Sequence, residues 1–149
     1  MRAVVQRVRE CSVSVGGRVV GRIERGLLVY LGVGRADTEA SVPSLVEKVV
    51  NLRIFPDDAG KMNRSVKDVG GSVLVVSQFT LYGDVRGGRR PSYTEAADPA
   101  AARELYEAVV TRIGEEGLAV ASGEFAAHMD VACVNEGPVT ILVDTGKAF

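Results

Sequence analysis

The stretch SVLVVSQFTL, Ser72 to Leu81, places the tightest constraint on what this chain can fold into. Its apolar residues do not alternate with polar ones, so a strand made from it has no face to offer to water. It reads as a central strand covered on both sides. The first third of the chain supplies sheet partners: AVVQRV, then SVSV and RVVGRI flanking Gly16-Gly17, then GLLVYLGV from Gly26. Gly-Gly between β-branched runs is a hairpin signal. Val42, Leu45, Val46, Val49 and Leu52 then recur at spacings of three and four, the stripe of an amphipathic helix that Asp37 or Thr38 would cap. RIF at Arg53 to Phe55 predicts a short strand, and GKMN at Gly60 to Asn63 a loop. A second helix begins at Asp98-Pro99, buries Leu105, Val109, Val110 and Ile113, and stops at Gly117. LAVASGEF, MDVACVN and VTILVDT read as the remaining strands.

These elements predict an α/β fold for residues 1–149: one compact domain with two packed β layers forming a barrel-like sheet. Two main helices cover one face, giving three layers in the order α/β/β. A length of 149 residues suffices for one core, and a formal net charge of −1 lacks the overall positive field of a general nucleic-acid or DNA binder. Any nucleic-acid contact must be local. No apolar run reaches the roughly 18 residues of a membrane span, and no charged leader with an apolar core follows Met1. A cytoplasmic protein is expected. Cys11 and Cys133 match neither a zinc pattern nor a disulfide framework, and both are expected to be buried free thiols. One histidine, His128, and no cluster of ligands leave a metal or cofactor without support.

Three segments could carry chemistry. Ser77, Gln78, Phe79 and Thr80 stand where the buried strand runs out into the long loop YGDVRGGRRPSYTEAA, a position where sheets often expose functional groups. Hydroxyls at a strand end also serve as ordinary turn formers. As a nucleophile, Thr80 needs a base, for which His128 is the sole histidine and equally well an ordinary packed or exposed one. Arg86, Arg89 and Arg90 concentrate forked donors that suit phosphate oxygens, or they simply keep a loop solvated. Gly137-Pro138 interrupts an apolar run. Proline has no ladder donor, so it marks an edge, a bulge or a turn. The pair either turns a hairpin between MDVACVN and VTILVDT, or forms a cis bond that aims main-chain carbonyls into a pocket.

Taken together, SQFTL, RPS at Arg90 to Ser92 and N-x-GPVT at Asn135 to Thr140 resemble D-aminoacyl-tRNA deacylase. QRV, GLLVYLGV, RIF, GKMN and FAAHMDV fall in that family's order, so the likeness covers nearly the whole chain. The resemblance implies hydrolysis of the ester between a D-amino acid and the 3′-terminal adenosine of the tRNA acceptor end. Glycyl-tRNA is a further candidate substrate. It also implies a homodimer with the site at the subunit interface, where Gly137 and Pro138 would act as a Gly-cis-Pro filter that rejects L-aminoacyl-tRNA. Ser77, Gln78, Phe79 and Thr80 would line the scissile ester, Phe125 and Met129 would contact the adenine, and Arg7 would orient the Gly-Pro segment. Main-chain N–H groups near Phe79 and Thr80, with water and the substrate 2′-hydroxyl, would do the catalysis. A module that holds the acceptor end without turnover, and a hydrolase with Thr80 as covalent nucleophile, are the competing expectations. Glu136, where many relatives have Asp, and Cys133, where an aliphatic residue is commoner, depart from the pattern.

Overall fold

A computed structural model describes the whole chain from Met1 to Phe149. Its organising strand is β1 (Arg2–Val15), which pairs antiparallel with three others. Arg2 to Val8 meet β3 (Gly26–Gly32), Cys11 to Val15 meet β2 (Arg18–Ile23), and β8 (Asp130–Asp144) runs along nearly its full length. The sheet continues in parallel from β3 to β6 (Ser72–Ser77) and from β6 to β7 (Val120–Ser122). It then curls until β2 approaches β7: a Cβ added at Gly21 would lie 2.6 Å from the carbonyl oxygen of Ser122. The six strands therefore form a nearly closed, barrel-like sheet. A small hairpin, β4 (Phe55–Pro56) and β5 (Met62–Arg64), stands apart from it.

Helices α1 (Ser41–Val50) and α2 (Pro99–Glu115) pack on each other and on the sheet. The unbroken apolarity of β3 and β6 follows from this arrangement. Leu27, Val29, Leu31, Val73 and Val75 point into the core beneath the helices, together with Leu45, Val49, Val109 and Ile113. Their neighbours Leu28, Leu74 and Val76 point the other way, into a second core inside the curl with Val8, Cys11, Val13 and Ile23. Each strand is wetted on neither face. Tyr106 of α2 donates its hydroxyl to the carbonyl of Val75 at 2.9 Å and ties helix to strand.

Several local expectations change. AVVQRV and SVSV are one strand, and MDVACVN and VTILVDT are likewise one strand, β8. The Gly-Pro pair thus interrupts a strand rather than closing a hairpin. Asp98 caps α2 through Ala101 N at 3.2 Å, but α1 has no side-chain cap. Asp37 is engaged elsewhere, accepting from Gly34 N at 2.7 Å and from the Tyr82 hydroxyl at 3.3 Å. Arg53 and Ile54 precede β4, and Met62 and Asn63 belong to β5 rather than to a loop. Cys11 is buried, whereas Cys133 is exposed and sits directly across from it on β8. No helix is long and apolar enough to cross a membrane.

Candidate active site

β6 ends at Ser77, and the chain leaves the sheet in a short 3-10 turn, Phe79–Tyr82. Gln78 N is fixed to the carbonyl of Leu31 at 2.8 Å, so the turn starts at a defined point beside β3. There a cavity of about 500 Å³ opens, with Ser77, Gln78 and Phe79 on one side and Phe125 to Met129 on another. Leu31 and Val76 of the sheet, Val33 just past β3, and Pro99 and Ala102 of α2 also line it. Eleven of the 15 lining residues are hydrophobic, so polar atoms are confined to a few places. This composition suits an aromatic, partly polar ligand. A cavity of about 550 Å³ around Arg2, Asp37 and Tyr82 is slightly larger, but its Asp37 carboxylate is already taken by Gly34 and Tyr82. That arrangement braces the fold.

Local packing presents the two apolar contacts. Phe125 lies 5.8 Å, centroid to centroid, from the Tyr106 ring, and the Arg103 guanidinium stands 5.0 Å above it. Met129 crosses Gly123 so closely that a Cβ there would meet its Sδ at 2.6 Å. Glycine at 123 is what lets the thioether reach the cavity. His128 also lines the cavity, just ahead of β8. Thr80 is exposed and outside the cavity lining, with its hydroxyl accepting from the Gln78 side-chain amide. No base is its hydrogen-bond partner. No group of three or more potential ligands is placed to hold a metal.

Gly137 and Pro138 lie elsewhere. Between Gln6 and Val8, β1 advances two residues while β8 advances five, from Thr140 to Asn135, so the Gly-Pro pair sits in a pronounced bulge. The Gly137–Pro138 peptide bond is cis. The Asn135 amide closes the base of the bulge, donating to the carbonyls of Arg7 and Val139 at 3.0 Å each. Arg7 packs underneath, its Nε donating to the Glu136 carbonyl at 3.3 Å and its Nη1 to the Ile54 carbonyl at 2.5 Å. Gly137 has φ +122°, and a Cβ there would fall 2.9 Å from Arg7 Nη2. Both Gly137 and Pro138 are exposed, and neither lines the cavity that holds Ser77, Phe79, Phe125 and Met129. The residues singled out in the sequence thus form two clusters in one chain.

The arginines separate too. Arg86 is bound to Asp84 by two side-chain contacts, at 2.9 and 2.7 Å, and these hydrogen bonds hold the Asp84 carboxyl down at about 2. Arg89 and Arg90 are exposed and make no ion pair. Sequence reasoning missed Tyr93, whose exposed ring meets Phe79 edge-on at 5.0 Å. Its only signal was an aromatic inside a Gly- and Arg-rich loop.

Comparison with known proteins follows the same lines. The model of a family described as D-Tyr-tRNA(Tyr) deacylase matches residues 4–144. D-aminoacyl-tRNA deacylases of Thermotoga petrophila and Desulfitobacterium hafniense are 60% and 58% identical to the chain over 149 residues, the whole of both partners in each case. A solved structure described as c-Myc DNA Unwinding Element Binding Protein superposes with a TM-score of 0.92 at 38% identity, covering 97% of this chain and 99% of that one. Another, described as a probable eukaryotic D-amino acid tRNA deacylase, reaches 0.78 at 20% identity over 95% and 97% of the two chains, a likeness of fold.

Proposed function

The chain belongs to the D-Tyr-tRNA(Tyr) deacylase family and is a hydrolase, and from that premise we propose that it cleaves D-amino acids from the 3′-terminal adenosine of tRNA while sparing L-aminoacyl-tRNA. The observation that carries this reading is the mostly apolar cavity at the end of β6, whose wall pairs Phe125 and Met129 with the polar groups of Ser77 and Gln78. Adenine stacks against the apolar wall, and the ester lies towards the 3-10 turn. The first N–H groups of such a turn have no acceptor within it, so Phe79 and Thr80 offer main-chain donors to a developing oxyanion. Water attacks with the help of the substrate's own 2′-hydroxyl, and no side-chain nucleophile is needed.

Selectivity is assigned to the Gly137–Pro138 main chain. Its carbonyls leave space for the α-hydrogen of a D-aminoacyl group and obstruct an L side chain; glycine, with no side chain, passes. The segment is exposed and does not line its own chain's cavity, which supports delivery into the cavity of a second copy in a homodimer. Arg7 and Asn135 hold it in place for that purpose. The expected setting is the cytoplasm, where tRNA is charged. Purified protein incubated with D-tyrosyl- and L-tyrosyl-tRNA tests the reading: only the D ester should be hydrolysed, and equal rates on both would remove the filter. Thr80→Ala should retain substantial activity, whereas complete loss would restore Thr80 as the nucleophile.

A further inference from the structure

The loop between Gly83 and Ala97 has a definite shape. Asp84 and Ser92 exchange main-chain hydrogen bonds of 2.8 and 2.9 Å, folding the loop into a narrow hairpin. Ala97 N to the Val33 carbonyl, 3.0 Å, and Arg35 N to the Glu95 carbonyl, 2.9 Å, pin its return leg beside the end of β3. The foot of this hairpin therefore stands at the mouth of the cavity, where Tyr93 meets Phe79. These two rings are 38% and 57% exposed, in a chain with only eight Phe and Tyr residues. An exposed aromatic pair at a cavity mouth is a ready stacking surface for a nucleobase. The tip carries Arg86, Arg89 and Arg90; Arg86 is committed to Asp84, while Arg89 and Arg90 have no hydrogen-bond or ion-pair partner.

Resting on the function proposed above, we propose that Phe79 and Tyr93, whose ring planes stand 67° apart, form a platform for the nucleobase preceding the terminal adenosine in the unpaired 3′ end of tRNA, one ring against its face and the other against its edge, with Arg89 and Arg90 meeting its flanking phosphates. The platform continues directly from the cavity, because Phe79 belongs to both. Contacts to aromatic rings read no hydrogen-bonding pattern on a base, and guanidinium contacts to phosphate read none either. Such a subsite accepts every tRNA alike, which an enzyme sorting by the amino acid's handedness requires. It also explains how a molecule of net charge −1 engages a polyanion: Arg89 and Arg90 give one hairpin tip an unpaired local positive charge.

Two substrates separate this subsite from the catalytic pocket: D-tyrosyl-tRNA, and 3′-O-D-tyrosyl-adenosine, which ends at the cavity and lacks the preceding nucleotide. Tyr93→Leu, and the double variant Arg89→Gln with Arg90→Gln, should each raise KM for D-tyrosyl-tRNA by about fivefold or more. Both should leave kcat, and hydrolysis of the nucleoside ester, as in the wild type. Tyr93→Phe should restore the wild-type KM, and the arginine variant should show a shallower dependence of KM on salt. An equal loss on both substrates, or an unchanged KM on tRNA, overturns the platform while leaving the deacylase reading intact. Wild-type protein inert on both substrates overturns that reading and the platform with it.

Discussion

Gly137 is the single position where backbone and side-chain demands coincide. Its positive φ disfavours any L residue, and its missing Cβ leaves room for the Arg7 guanidinium. Gly137→Ala should therefore displace the bulge, lower the rate on D-tyrosyl-tRNA on the order of 100-fold and cost about 1 to 3 kcal/mol of stability through backbone strain. Steady-state kinetics beside a melting curve checks both halves. The two cysteines differ in a way that chemistry can read. Burial, followed by the neighbouring Cys133, pushes the Cys11 thiol up to about 12, so at pH 8 it holds almost no reactive thiolate. Iodoacetamide at that pH should label Cys133 in the folded protein and reach Cys11 only after denaturation, as peptide mass spectrometry would report. The interrupting role of Gly137 and Pro138 was legible because both residues act through their own backbone. The exposure of Cys133 was not: which side of β8 a residue takes depends on register against β1, and that register jumps at the bulge.

At the scale of elements, β6 does two jobs with one run of residues. Leu74 is fully buried in the smaller core, whose other members are few, so Leu74→Ala should cost about 2 to 5 kcal/mol, measured by urea unfolding. Removing the Tyr106 hydroxyl with Tyr106→Phe should cost far less, about 1 kcal/mol, since the Val75 carbonyl also accepts from Gly123 N. The doubly covered character of β6 could be read from its composition, and the face of α2 from its spacing, because burial periodicity is a property of local sequence. Boundaries set by distant partners could not. Asp37 looks like a cap for α1, yet Gly34 and Tyr82 claim its carboxylate. Ser77 to Phe79 and Phe125 to Met129 face one cavity only because β3, β6 and α2 bring them there, a convergence no local pattern records, and the same convergence leaves Thr80 outside.

For the molecule as a whole, one chain holds a cavity and, outside its lining, the segment assigned to guard such a cavity. Mixing two impaired proteins tests the exchange between subunits. A Gly137→Ala chain keeps an intact cavity, and a Phe125→Ala chain keeps an intact Gly-Pro segment; after co-refolding, mixed dimers should regain activity on D-tyrosyl-tRNA through one complete site each. If the mixture stays as impaired as its parts, the segment serves its own chain. The barrel-like curl also limits how the protein can change. Leu31 and Val76 line the cavity while belonging to two different cores, so β3 and β6 are party walls. Neither can be moved to enlarge one room without cracking the other. New substrate ranges are therefore expected to arise by remodelling the hairpin at 83–97 and the turn at 123–129, furniture not built into those walls.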